Sequence, residues 1–299
     1  MRKSQNIGTL LCATVLPLLF ADPCFADCAT YSSRIDAALV SADHNALKTS
    51  FNAVGDCLDA EYRDQVGRHV AQRLLQAAGD SPSEASLSEI LQYSALWQAL
   101  AMEGDIAQKK RDYTAAAIWY QKALLEINDE KATPTKPPDD LIRTVEHKAE
   151  EAGLLADNNV PTPRGRGDEN EGLAAPSIRG VTITKVAFPV QFVFAKSEFT
   201  EQGLRAAADM AAFLKNASPS PAGILLVGHT DRVGTDQANL ALSLARAAAL
   251  AQFLQGHGVR FKIEVEGHGS REPYQADDRQ SLTQAQIDQM DRRVELIRG

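Results

Sequence analysis

Residues 224–247 read ILLVGHTDRVGTDQANLALSLARA, and their order decides how the C-terminal half folds. Ile224-Leu225-Leu226-Val227 is a short continuous apolar run, the pattern of a buried strand. Gly228 closes it, and the turn that follows carries Asp231 and Gly234. An Ala/Leu-rich stretch then predicts a long helix over 236–255. Asn239, Ser243 and Arg246 fall on one face of that helix, because residues three and four apart stack above each other. Asp231 stands just past the strand, at the mouth of the turn into the helix. Outward from this core the alternation continues. Residues 181–194 read as strand, 201–214 as helix, 261–266 as an alternating strand and 292–297 as a last strand. Interleaved strands and helices over about 115 residues predict a β/α sandwich, large enough to bury roughly two-thirds of its unfolded surface and fold alone.

Several ordered motifs carry a resemblance. Gly228-His229-Thr230-Asp231-Arg232-Val233-Gly234, Asn239 and Leu242-Ser243-Leu244-Ala245-Arg246-Ala247 form the centre of it. FVFAKSEFT at 192–200 precedes them, and Gly267-His268-Gly269-Ser270-Arg271-Glu272-Pro273 and Asp291-Arg292-Arg293-Val294 follow. Together, over about 185–299, they resemble the OmpA-like peptidoglycan-binding domain. The resemblance implies non-covalent binding of the cell wall, with Asp231, Asn239, Arg246 and Arg292 at the ligand-contact positions. The chemistry is consistent with that. The far end of an uncrosslinked diaminopimelate side chain is a free amino acid with one ammonium and one carboxylate. Asp231 can take the ammonium and Arg246 can fork onto the carboxylate. Exposed N–H groups at the helix start add donors for an anion. The alternative is an Asp–Arg pair that only ties loop to helix. Three departures bear on the rim of the pocket. Asp291 replaces the family's Asn, Val193 replaces a frequently acidic residue, and 280–290 lacks the Gly-Arg that often precedes the last strand.

Other chemistries find little support. His229-Thr230-Asp231 and His268 are candidates for a metal or a His–Asp pair, but a metal site needs three or more convergent ligands, and spacing along the chain offers no such cluster. No nucleophile elbow, H-E-x-x-H or P-loop occurs. No catalytic residue, metal or cofactor is therefore expected. A formal net charge of -8, from 31 basic and 39 acidic residues, gives no basic footprint for nucleic acid.

The N-terminus reads as an export signal. Arg2 and Lys3 precede the apolar run LLCATVLPLLF at 10–20, and Cys24-Phe25-Ala26 supplies small residues for cleavage after Ala26. An uncleaved membrane anchor is the alternative. Beyond it no run approaches the roughly 20 apolar residues of a membrane-spanning helix. Loss of 1–26 removes Arg2, Lys3 and Asp22, which makes the mature chain slightly more acidic. It also removes Cys12 and Cys24, so that Cys28 and Cys57 remain. In an oxidising compartment the simplest state is one disulfide, and two unpaired buried thiols are the alternative. A bridge closing about 30 residues would contribute roughly 3 kcal/mol by chain entropy. Thiol labelling of the denatured, unreduced mature protein should then find no reactive sulfur, whereas two labels per chain would exclude the bridge.

Residues 30–128 show helical periodicity through Ile35, Leu39, Leu47, Phe51, Val54, Val70, Leu74 and Leu75. Breaks are expected at Asp43-His44, Gly55-Asp56, Gly79-Asp80-Ser81-Pro82 and Gly104-Asp105. Within it, LAMEGDIAQKKRDYTAAAIWYQKAL at 100–124 resembles one tetratricopeptide repeat of about 34 residues, with Gly104 where two helices cross and Tyr113, Ala116, Tyr120 and Ala123 at signature positions. Glu103 departs from that pattern, and an amphipathic hairpin explains the same residues. A last helix is expected over 139–157. The Pro- and Gly-rich segment 158–180 reads as a flexible linker. The expectation is thus an α+β chain with a signal peptide (1–26), a helical, tetratricopeptide-like domain (27–157), a linker and a peptidoglycan-binding domain (181–299) in the periplasm. A periplasmic adaptor recruiting an envelope protein through the helical domain is the first rival, and a wall-lytic enzyme is the second.

Overall fold

The computed structural model describes residues 28–55, 60–157, 160, 177–216 and 223–298. The expected signal peptide and Cys57 lie outside them, and with Cys57 the expected disulfide. The chain is of mixed α+β class and divides into two compact units, Met1–Gly67 and Arg68–Gly299. In the first, α1 (Cys28–Ser41) and α2 (His44–Gly55) bury Ile35, Leu47 and Phe51. The break expected at Asp43-His44 is there. Ala42 takes a positive φ of 53°, and the Asp43 carboxylate accepts the N–H groups of Asn45 and Ala46 at 3.1 and 3.0 Å. Two orphan donors of α2 are satisfied in this way.

Helix α3 (Ala60–Ala78) leads to α4 (Glu84–Tyr93), α5 (Trp97–Lys109), α6 (Tyr113–Asn128) and α7 (Asp139–Leu155). Ser83 caps α4 and Asp112 caps α6, each accepting an N–H three residues on. The break expected at Gly104-Asp105 is absent, because Gly104 lies inside α5. The glycine serves packing instead: a Cβ there would come within 2.5 Å of the Tyr120 ring of α6. Tyr120 is fully buried, and its hydroxyl bonds Asp105 and Gln108 at 2.7 and 2.8 Å. The hairpin expected at 100–124 is therefore real, with Gly104 at its crossing point.

Strands β1 (Ser177–Ile178) and β2 (Val181–Thr182) make a small hairpin through Arg179 and Gly180, both at positive φ. Arg179 fixes it to the end of α6 by donating to the carbonyls of Ile127 and Thr133. The main sheet comprises β3 (Lys185–Phe188), β4 (Ile224–His229), β5 (Ile263–Gly269) and β6 (Val294–Arg298), in the order β3-β6-β4-β5. Its β4–β5 pair is parallel and the other pairs are antiparallel. Helix α8 (Glu201–Asn216) follows β3, and α9 (Asp236–Gly256) makes the crossover between the parallel strands, as parallel pairing requires. Short α10 (Gln284–Asp291) precedes β6. The strand expected over 181–194 ends at Phe188. Pro189 cannot donate to a ladder, and the following residues turn back on themselves, with Phe192 bridging Phe199.

The apolar cores of α5–α7 and of the sheet are one. Tyr120, Leu124, Ile142 and Ala149 belong to the same cluster as Val186, Leu226, Leu250 and Leu296. Polar contacts reinforce the junction. Glu150 of α7, 8% exposed, accepts the Ala187 N–H of β3 at 2.6 Å and the Tyr274 hydroxyl at 2.8 Å. The compact units thus divide the expected helical domain near residue 67, and its second part shares a core with the sheet. Most of the expected linker, residues 158–159 and 161–176, lies outside the described residues, but 177–180 belong to the β1–β2 hairpin.

The acidic face of α7 has a pH signature. Burial first, and then the Glu150 carboxylate, push Glu146 up to about 8, and Arg143 offsets only part of this. The folded protein therefore holds a proton that the unfolded chain, with a glutamate pKa near 4, has released. That contribution is complete below about pH 4 and is lost as pH rises through about 8. The melting temperature should therefore fall between about pH 5 and 8 and level off above that, and Glu146→Gln should flatten the fall. Identical slopes in the two proteins would contradict this reading.

Candidate functional site

The site forms where β4 and β5 end against the start of α9. Helix α9 buries one stripe, Asn239, Ser243, Arg246, Ala247, Leu250, Ala251 and Leu254. The stripe is apolar where it covers the sheet and polar over its first three turns. Two glycines allow the strands to approach those polar turns. A Cβ on Gly228 would collide with the backbone carbonyl of Ser243, and one on Gly267 with the Leu244 amide and the Ser243 hydroxyl. Ser243 Oγ donates to the Leu240 carbonyl and accepts the Gly269 N–H, both at 2.9 Å, and so ties β5 to the helix. Gly269 itself sits at φ 59°, where a side chain is strained. Thr235 caps α9 by accepting the Ala238 N–H. The helix start is thus placed beside the loop that carries Asp231.

All four expected contact residues lie together at this point. Asp231, 8% exposed, accepts the Val233 N–H on Oδ1 at 3.0 Å and the Arg292 guanidinium on Oδ2 at 2.7 Å. Asn239 donates to the Asp231 carbonyl at 3.4 Å. The ion pair of the site is therefore Asp231–Arg292, and Asp231 does not pair with Arg246. Arg246, 5% exposed, donates through Nε to the Lys196 carbonyl at 3.0 Å and lies 5.2 Å from the centre of the Phe192 ring. Among the described residues no carboxylate forms an ion pair with it. Burial first, and then the nearby Arg292, lower its pKa, while Asp231 pulls in the opposite direction. Two guanidiniums and one carboxylate leave the cluster with one surplus positive charge, seated in a desolvated place. Such a site gains most from a bound anion, and the partly exposed Asp231 oxygens still have lone pairs for a cation beside it.

Sequence reading missed the floor of this site. Phe192 stacks on Phe199 at 5.0 Å, and Phe199 meets Phe253 edge-on at 5.6 Å, so the aromatic residues of 192–199 support Arg246. Phe194 and Val233 are 81% and 63% exposed. The departure at Asp291 has a structural reason. Its buried carboxylate accepts the Tyr274 N–H at 2.8 Å and faces Arg279 at 3.6 Å, which holds the 271–279 loop to the end of α10. Val193 donates its N–H to the Glu198 carbonyl within the turn.

His229 ends β4 almost wholly buried, and burial foremost lowers its pKa, which keeps the ring neutral. Its Nε2 lies 3.4 Å from Glu295. Burial alone would raise Glu295, but His229 and Arg293 outweigh it and hold that carboxyl far below the usual range. The structure also places His268 and Glu272 beside His229, a convergence that spacing along the chain did not suggest.

Comparison with known proteins finds a family match over the segment that carries this site. Residues 191–288 match the sequence model of the OmpA family, so the chain carries an OmpA family domain in its C-terminal part. Outer membrane protein A of Shimwellia blattae is 33% identical over 112 residues, covering 36% of this chain and 46% of that protein. Outer membrane protein A of Citrobacter freundii is also 33% identical over 112 residues, covering 36% and 47%. The matched segment thus spans less than half the length of these relatives. Among solved structures, the OmpA-like domain of FopA1 from Francisella tularensis is 22% identical, covering 38% of this chain and 69% of that one with a TM-score of 0.30. The peptidoglycan-associated lipoprotein from Burkholderia pseudomallei is 25% identical, covering 44% and 98% with a TM-score of 0.31. Among the described residues, no helix is long and apolar enough to cross a membrane.

Proposed function

We propose that the C-terminal domain binds peptidoglycan non-covalently, through the free end of an uncrosslinked, diaminopimelate-containing stem peptide. The observation that carries this reading is Arg246, a buried guanidinium without a carboxylate partner among the described residues, beside the carboxylate of Asp231. A zwitterionic amino-acid terminus supplies the two missing groups at once. Its carboxylate takes the terminal nitrogens of Arg246, with Arg292 at the rim. Its ammonium takes Asp231 oxygens, already oriented by Val233 and Arg292. Asn239 holds the Asp231 backbone in place. Nothing in this arrangement needs a bond to be broken, and the role is binding without catalysis. With the export signal expected at 1–26, the protein works in the periplasm of a Gram-negative-type envelope and anchors its helical segment to the wall. Acetylating the free diaminopimelate amines of purified sacculi should weaken binding by the wild-type chain as strongly as removal of the Asp231 charge does. Equal binding to acetylated and untreated sacculi would exclude this mode.

A further inference from the structure

We propose that His229, His268 and Glu272 form a site for one divalent transition-metal ion of zinc type, built where β4 and β5 end side by side. The proposal stands independently of wall binding. One ligand atom from each of the three residues lies within 4.8 Å of the others. His268 Nδ1 and Glu272 Oε1 are already 3.1 Å apart. Tetrahedral zinc with bonds of about 2.1 Å sets its ligand atoms about 3.4 Å apart, so only small side-chain rotations separate this arrangement from a closed one.

His229 supplies the second, independent sign. It is 1% exposed; its Nε2 faces the Glu295 carboxylate, while its Nδ1 has no hydrogen-bond partner among the described residues. Buried polar atoms are paired in the great majority of cases, so an orphan nitrogen on a buried imidazole needs a reason. A neutral imidazole carries a lone pair that a metal accepts. The ring meets His268 edge-on with centroids 5.6 Å apart. The groups behind the ligands also fit. Glu266 Oε2 lies 3.0 Å from His268 Nε2, which leaves Nδ1 for the ion in the carboxylate–histidine–metal arrangement. Glu295 Oε2 stands 3.4 Å from His229 Nε2. Arg293 and Lys185 are the cations near this group, and both are engaged by Glu295 Oε1. Glu266, Glu272 and Glu295 outnumber them. Two imidazoles and one carboxylate favour zinc over magnesium or calcium, and a tetrahedral ion would keep one position for water.

A second group, His147, Glu151 and Asp277, shows the contrast and serves as the control. There both ring nitrogens are engaged: His147 Nε2 faces Asp277 at 3.3 Å and Nδ1 meets the Tyr274 hydroxyl at 3.4 Å, while Glu151 accepts the Asp277 N–H at 3.0 Å. The full chain, stripped with a chelator, should be titrated calorimetrically with zinc alone, and with cobalt(II) alone for its visible absorption. One equivalent of each should bind, cobalt should show the intense bands of four-coordination, and zinc should raise the melting temperature. His268→Ala should abolish uptake, the exposed Glu272→Gln should weaken it at least about tenfold, and His147→Ala should leave it unchanged. If His268→Ala lowers the melting temperature of the metal-free protein, Glu272→Gln carries the decision. Absence of saturable uptake, or uptake with undiminished affinity in Glu272→Gln, overturns the proposal.

Discussion

Arg246→Ala is expected to weaken binding to a soluble muropeptide with a free diaminopimelate end by very roughly 30-fold to several thousand-fold. The range follows from the cost of removing one partner of a charge-assisted contact in a desolvated site, about 2–5 kcal/mol. Arg246 suits such a contact because it is 5% exposed and, among the described residues, its side chain bonds only the Lys196 carbonyl, through Nε. Asp231→Asn should give a loss of the same order. It keeps an oxygen for the Val233 N–H and removes the charge that the ligand ammonium would meet. One ligand group bridges both residues, so the double variant should lose less than the sum of the singles. Arg292→Ala should cost less, because Arg292 is the more exposed guanidinium. Its loss also frees Asp231 Oδ2 for the ammonium. Titration calorimetry ranks the variants, and a larger loss for Arg292→Ala than for Arg246→Ala would reverse the roles assigned here.

Gly228→Ala is expected to damage the fold and the site together. The new Cβ would collide with the Ser243 carbonyl, a backbone atom, so relief requires α9 to move off the sheet. Overpacking of this kind typically costs about 1–3 kcal/mol and occasionally more, and the upper end applies where no flexible side chain can yield. In a unit of this size the melting temperature should drop by roughly 5–10 °C. Because α9 carries Asn239 and Arg246, muropeptide affinity should fall as well, although no contact residue has changed. An unchanged melting temperature would show that the strand and helix are less closely packed than described here.

Much of the domain was legible because its central elements have strong local signatures. Ile224–His229 is a continuous apolar run, and the Ala/Leu pattern of 236–255 shows its period plainly. The shared helix face of Asn239, Ser243 and Arg246 also followed from spacing alone. Other features depend on contacts between distant residues. Asp231 and Arg292 are 61 positions apart, and only the folded sheet reveals which arginine takes the aspartate. The junction of α7 with the sheet rests on Glu150, Glu151 and Tyr274, polar residues that periodicity assigns to solvent. Helix α10 was missed because its sequence, QAQIDQMD, is mostly polar. Its signal was the capping box, in which Thr283 and Gln286 bond each other's backbone N–H groups. The strand expected to reach residue 194 was overextended past Pro189, where aromatic residues serve the floor of the site.

The central claim is that Asp231 and Arg246 together hold the cell wall, and co-sedimentation with purified sacculi tests it most directly. Wild-type chain should pellet with the sacculi and be competed off by soluble muropeptide bearing a free diaminopimelate end. The Asp231→Ala, Arg246→Ala double variant, shown to keep a cooperative melt, should remain in the supernatant. If that folded variant pellets as fully as wild type, the two residues are structural and the assignment of the pocket is wrong.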